Sequence, residues 1–208
     1  MTERSKIEVT ADGSNNSVSM YDKAHLWMIS IIHDSLYRVF VNPHRLLAAA
    51  GVQPGKVVLE VGCGPGFFTI PAAKIVGKNG RLYSLDINPA AIEHVKQKVE
   101  QSTLTNVQVI LADAAKTGLP DGSIDVAFLF GVLHSIKDMD SVLLEMHRVI
   151  KEGGVLAVQK SSWSEKDLLN SVGRDGLFRF ARKDVRVYMF DREAGYCKLE
   201  SHQITIED

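Results

Sequence analysis

The stretch VVLEVGCGPGFFTIPAA, Val57 to Ala73, constrains this chain more than any other. A mostly apolar run meets three glycines, Gly62, Gly64 and Gly66, and then a helix-like pattern. Missing side chains at such a junction let backbone N–H groups approach a small ligand, and the start of the helix offers partial positive charge. The region that follows repeats the same architecture. KVVLEV, a helix from about Phe67 to Val76, RLYSL, a helix opened by Asn88-Pro89, and VQVIL alternate along the chain. That alternation predicts right-handed βαβ units, hence a doubly wound α/β fold with a mostly parallel sheet covered on both faces.

Further on, DVAFLF reads as a buried strand. MDSVLLEMHRVIKEGG reads as a helix with Val142, Leu143, Met146, Val149 and Ile150 on one face, ended by the glycines. VLAVQ is the next strand and SEKDLLNSV another short helix, after which LFRF, VRVYMF and HQITI compete for two or three strand positions. Before the core, DKAHLWMISIIHDSLYRVF shows a wide apolar stripe at helical spacing, and Asn42-Pro43 caps a short helix HRLLAAA that stops at Gly51. Residues 1–20 are polar without sustained periodicity and are expected to be flexible. The remainder, 21–208, reads as one domain: a helical cover over 24–51, a core over 56–160, and a C-terminal helix and strands over 161–208.

Composition narrows the function. Lys plus Arg number 24 against 25 Asp plus Glu, so no global field draws this chain to nucleic acid or anionic lipid. No apolar run is long enough to span a membrane and no targeting pattern opens the chain, so a cytoplasmic location is expected. Cys63 and Cys197 are far apart, which disfavours a disulfide and offers no metal-ligand spacing.

The glycine spacing is G-x-G-x-G, where a dinucleotide fingerprint has G-x-G-x-x-G with its third glycine inside the helix. A Walker loop would need a Gly-Lys-Ser/Thr that is absent. VLEVGCGPGFFT resembles the first motif of the class I S-adenosylmethionine-dependent methyltransferases. LYSLDINPAAI is similar to the family's second-strand acidic motif, ILADAAKTGLP to its third-strand motif, DVAFLFGVLHSI to its fourth, and RVIKEGGVLAV to the junction before strand five. Within that family VLHSI and the Gly-Gly junction look most like the ubiquinone, menaquinone and small-metabolite branch. The resemblance implies a Rossmann-like methyltransferase sheet of seven strands ordered 3-2-1-4-5-7-6, with S-adenosylmethionine as cofactor.

Site residues follow from the resemblance and from chemistry. Gly62, Cys63, Gly64 and Gly66 form the loop, whose N–H groups suit the cofactor's carboxylate. Asp86, twenty residues after Gly66, would accept from both ribose hydroxyls. Asp113 would accept from the adenine amino group, with Ile87 and Ala114 bordering the ring. Glu60 is buried by pattern and needs a partner, either the cofactor's ammonium or neighbouring loop amides. His134 stands where family members face the acceptor and has the pKa class of a general base. The family often shows two histidines there, whereas this chain has His134-Ser135. The stripe over 26–40, with Tyr21, His25, His33 and Tyr37, is a candidate lid favouring an apolar small-molecule acceptor, and a helix packed on the sheet edge explains it equally well.

Two rival functions have sequence support of their own. Arg174, Arg179, Arg182, Lys183, Arg186 and Arg192 could follow a phosphate backbone as a nucleic-acid methyltransferase would. The motif expected after strand four of base-amine enzymes is missing, and charged hairpin faces explain the residues more simply. A cofactor-binding regulatory module without catalysis also fits, because methyl transfer demands positioning more than any single reactive group. No metal site is expected, and the sequence sets no oligomeric state.

Overall fold

The computed structural model describes residues 42–160 and 163–194. Residues 1–20, expected to be flexible, the helix and lid expected over 24–40, Cys197 and the HQITI segment lie outside the described residues.

Helix α1 (Pro43–Ala49) starts where expected because the Asn42 side chain accepts from the N–H groups of His44 and Arg45 and Pro43 takes the first helical position. Strand β1 (Val57–Val61), α2 (Thr69–Val76), β2 (Arg81–Asp86), α3 (Pro89–Gln101) and β3 (Val107–Leu111) follow in turn. Helix α2 begins two residues later than its apolar pattern suggests. Phe67 and Phe68 are spent closing the glycine turn, their buried rings packed edge to face at 4.7 Å. Asn88 caps α3, which buries Ile92, Val95 and Val99.

After a helix-free crossing come β4 (Ile124–Leu129), a 3-10 turn (Leu133–Ser135), α4 (Met139–Val149), β5 (Ile150–Gln159), α5 (Glu165–Gly173), β6 (Phe178–Asp184) and β7 (Val187–Arg192). These seven strands form one sheet in the order β3-β2-β1-β4-β5-β7-β6. Pairings are parallel from β3 across to β5, and β7 runs antiparallel between β5 and β6. Over the described residues this fixes the register of β6 and β7. VRVYMF supplies β7, whose Val187, Tyr188, Met189 and Phe190 are all buried, while LFRF opens the largely exposed edge strand β6. One sheet face, with Leu59, Val61 and Leu85, packs under Val142, Leu143 and Met146 of α4 and Leu168 and Val172 of α5. The other, with Val58, Leu82 and Phe128, packs under Leu47 of α1 and Phe68, Ala72 and Val76 around α2.

The glycines after α4 do not end it. The helix stops at Val149 and Ile150 is already extended, so Gly153 and Gly154 sit inside β5. Pairing jumps there from Ile124↔Ile150 to Val126↔Val155, a bulge in β5 that brings backbone into close approach. A Cβ on Gly154 would lie 2.6 Å from Ile150 Cγ2, 2.9 Å from the Lys151 carbonyl oxygen and 3.0 Å from that of Asp125. Gly154→Ala is therefore expected to lower stability by about 1–2 kcal/mol through overpacking, read as a shift in the urea midpoint. An unshifted midpoint would mean that the bulge relaxes freely.

One polar cluster ties α4 to the crossing between β3 and β4. Thr117 donates its N–H and hydroxyl to Glu145 Oε1 at 2.7 and 2.6 Å, and Arg148 grips both Glu145 oxygens while also pairing with Asp121. Burial alone would raise the Glu145 carboxyl. Arg148 and Thr117 outweigh it and hold the group down at about 2. Because the folded value is depressed, the cluster's contribution is present above pH ~4.5, the ordinary glutamate value, and is lost as pH falls toward 2. Glu145→Gln is expected to cost about 1 kcal/mol at pH 7, with variant and wild type converging in acid. Equal loss at pH 7 and pH 3 in urea titrations would contradict this.

Candidate cofactor site

The strand order reverses between β1 and β4, and ligands of open α/β sheets bind at the carboxyl ends of the strands beside such a reversal. The glycine loop, Asp86, Asp113 and His134 all lie at those ends. The topology thus brings every sequence-predicted site residue to one edge of the sheet.

Each loop donor can be accounted for. The N–H groups of Gly62 and Cys63 both donate to the Leu85 carbonyl at 2.8 and 3.0 Å, and that of Gly66 donates to the Cys63 carbonyl at 2.9 Å. Gly64 donates to Asp86 Oδ2 at 2.8 Å. A turn this tight uses these donors to hold its shape against β2. Gly62 must be glycine, since φ is +74° and a Cβ would come within 2.6 Å of Val132 Cγ2. Above Gly64 the opposite holds, with nothing within 4 Å of a Cβ position. The loop presents open space there.

Asp86 is half-buried at the end of β2, and its Oδ1 also accepts from the Asn88 N–H at 2.8 Å. Each oxygen carries one protein hydrogen bond, which leaves acceptor capacity on both for a vicinal diol. Asp113 is exposed, with Oδ1 accepting from the Ala115 N–H at 2.9 Å, and Ala114 is half-buried against the core. Ile87 is 68% exposed and Leu111, paired across from Asp86, is 55% exposed. Two large apolar side chains presented to solvent at adjoining strand ends suit a flat aromatic ring. Leu111 is the residue sequence reading missed. Its signal was present, an apolar position at the last residue before the Ala112-Asp113 turn, but the strand pattern alone does not tell an exposed strand end from a covered one.

Glu60 is buried, as expected, at 2% exposure. Its hydrogen-bond partners among the described residues are two side-chain hydroxyls. Thr69 Oγ1 and Ser84 Oγ donate to its Oε2 at 2.6 and 2.7 Å. Burial pushes its pKa up to about 7, the two hydroxyls pull the other way, and the nearby Asp86 carboxylate adds to the rise. Cys63 is also buried, and burial followed by the charge of Glu60 pushes its thiol above the ordinary range, so it is not poised as a nucleophile. His134 lies exposed on the 3-10 turn anchored by buried Leu133, and no partner among the described residues orients its ring.

Other regions are less suited to chemistry. An open cavity of about 750 Å³ lies at the opposite, amino-terminal edge of β4 and β5, lined by the paired Glu145 and Arg148 along with Ser141 and Arg192. It touches no residue of the glycine loop, and its charges are largely committed to each other. Among the described residues no cluster of metal-ligating side chains occurs, and no helix is long and apolar enough to cross a membrane. The basic tail is dispersed: Arg174 pairs with Asp140, Arg179 with Asp191 and Glu193, and Lys183 with Glu165.

A seven-stranded sheet of this order, with one antiparallel strand inserted next to the last and a glycine loop braced by an acidic residue on β2, defines the class I methyltransferase fold. Residues 53–188 match the family described as a methyltransferase domain. A demethylmenaquinone methyltransferase of Geobacillus stearothermophilus is 38% identical over 111 residues, 53% of this chain and 47% of that protein. A ubiquinone/menaquinone biosynthesis C-methyltransferase of Teredinibacter turnerae is 33% identical over 79% of this chain and 64% of its own length. The crystal structure of an S-adenosylmethionine-dependent methyltransferase from Aquifex aeolicus superposes with a TM-score of 0.65 at 27% identity, covering 72% of this chain and 89% of that one. The chain belongs to the methyltransferase domain family, among the class I S-adenosylmethionine-dependent methyltransferases near their ubiquinone/menaquinone branch. It spans about half the length of the first of these curated relatives.

Proposed function

We propose that this protein transfers a methyl group from S-adenosylmethionine to carbon on a small acceptor of the quinone-precursor type. The observation that carries the cofactor is the Asp86 carboxylate, braced by Gly64 and Asn88 beside the exposed Ile87 and Leu111. The acceptor class is suggested by relatives named for methylating demethylmenaquinone and ubiquinone precursors.

In this reading Asp86 accepts from the ribose hydroxyls, Asp113 from the adenine amino group, and Ile87, Leu111 and Ala114 border the ring. Glu60 contributes negative charge beneath the loop. When bound, the cofactor supplies a methyl group on a sulfonium, which leaves as a neutral thioether. The protein's work is then chiefly alignment. In methylation at carbon beside a phenolic oxygen, removing the oxygen's proton raises the carbon's nucleophilicity, and the ring carbon then gives up its own proton as aromaticity returns. His134, beyond the carboxyl end of β4, is our candidate for the first transfer.

The fold does not dictate this chemistry, since a [4+2]-cyclase shares it at 20% identity and a TM-score of 0.59. Calorimetry with S-adenosylmethionine, followed by transfer of labelled methyl to a demethylated quinol, to RNA and to a metabolite extract, separates the possibilities. Incorporation into the quinol is the expected result. Binding without transfer to any of the three would favour a regulatory module, and labelled RNA would move the acceptor class.

A further inference from the structure

Glu60 reaches from β1 toward the first residue of α2 and toward β2, on the sheet face covered by α2. Both of its close partners are hydroxyls, and both fall on the same carboxylate oxygen, with Thr69 Oγ1 and Ser84 Oγ themselves 3.3 Å apart. The charged and titratable groups around it include one cation, which hydrogen-bonds elsewhere. Asp86 stands at the end of β2, the Cys63 thiol is in the loop, and the α3 ammonium of Lys98 is bonded to the Pro65 carbonyl on the loop at 2.6 Å. Among the described residues no cation pairs with Glu60. A carboxylate buried without a cation is costly, and its charge is felt strongly because little solvent screens it.

We propose that Thr69 and Ser84 are positioning residues of the cofactor site: by fixing Glu60 on one oxygen they create a cation preference that holds S-adenosylmethionine and releases its demethylated product. The inference rests on the cofactor assignment made above. The two ligands differ by the sulfonium charge, so they are a matched pair for reading the effect. As the carboxyl ionises with rising pH, both ligands gain through the ammonium they share, and only S-adenosylmethionine gains further through its sulfonium. The difference between them therefore reads the sulfonium alone. A proton leaves Glu60 when the cation binds.

The test is calorimetric binding of S-adenosylmethionine and S-adenosylhomocysteine to the full chain from pH 6 to pH 8, in two buffers of different ionisation enthalpy. Wild type, Glu60→Gln, Ser84→Ala, Thr69→Val and Thr69→Ser are compared, each checked by a thermal melt. The ligands' own amine titration is common to all five proteins, so differences from Glu60→Gln isolate this side chain. In wild type the preference for the sulfonium ligand is expected to rise roughly tenfold across the range, with net proton release. Glu60→Gln should flatten that rise.

Removing a hydroxyl by Ser84→Ala or Thr69→Val should move its midpoint to higher pH, because an ionised carboxyl has lost a donor, and Thr69→Ser should restore it. Weakening of both ligands alike, with midpoint and proton release unchanged, would reduce the two hydroxyls to structural supports and overturn the proposal. A wild-type preference independent of pH would overturn it while leaving the cofactor assignment intact. Failure of wild type to bind either ligand would remove both.

Discussion

Asp86→Ala is expected to weaken S-adenosylmethionine binding by about 3 kcal/mol, roughly two orders of magnitude, from two lost charge-assisted hydrogen bonds to the ribose. The structure supplies the reason for so large an effect. The carboxylate is held in place before any ligand arrives, Oδ2 by the Gly64 N–H and Oδ1 by the Asn88 N–H, each at 2.8 Å. Little ordering cost then remains for the binding step. Asp86→Asn keeps one acceptor oxygen and should lose about half as much. The fold should survive both changes, because the residue is only half-buried and the Leu85 carbonyl still anchors the loop through Gly62 and Cys63. Calorimetry on the purified variants reads the outcome directly. Affinity equal to wild type would place the sugar somewhere other than the end of β2.

Glu60→Gln should make the ligand-free protein more stable at pH 8 by about 3 kcal/mol, while impairing its preference for the cofactor. The folded carboxyl titrates at about 7 against an ordinary 4.5, and each unit is worth about 1.4 kcal/mol. The sign follows from proton uptake. A raised folded value means that the native state binds the proton more tightly, so the contribution is intact below pH ~4.5, declines as pH climbs toward 7 and is fully lost above it. Glutamine keeps an oxygen for Thr69 and Ser84 and carries no charge, so it avoids the decline. Urea midpoints of the two proteins should agree at pH 4 and separate at pH 8. A glutamine variant less stable than wild type at pH 8 would show that the ionised carboxylate is welcome in the empty site. The expected gain would also explain why a stabilising substitution is unsuited to this position, since the buried charge serves the ligand at the expense of the unliganded fold.

The site was legible to different degrees, and particular residues show why. Gly62 announced itself because a strand running into a tight turn requires a positive φ, and that requirement is local. Asp86 was legible from its distance along the chain, since a βαβ unit has a nearly constant length. Leu111 was not singled out, because alternation along β3 says which residues share a face but not where the neighbouring strand and helix stop covering them. Gly153 and Gly154 misled in the same way: two glycines after a helix normally end it, but here the demand comes from Ile150 and the Asp125 carbonyl, contacts across a strand pair that local pattern cannot contain.

From the order of its residues alone, this chain declared a parallel α/β sheet, a glycine cradle between its first strand and helix, and an acidic side chain one strand over. Those are properties of short segments, set by periodicity, turn chemistry and spacing. Tertiary structure alone decided that Gly64 braces Asp86, that Thr69 and Ser84 converge on Glu60, that VRVYMF rather than LFRF lies beside β5, and that Arg174, Arg179 and Lys183 pair with acids. Each of these joins groups far apart in sequence, and only the packed sheet determines which distant donor lies within 3 Å of which acceptor.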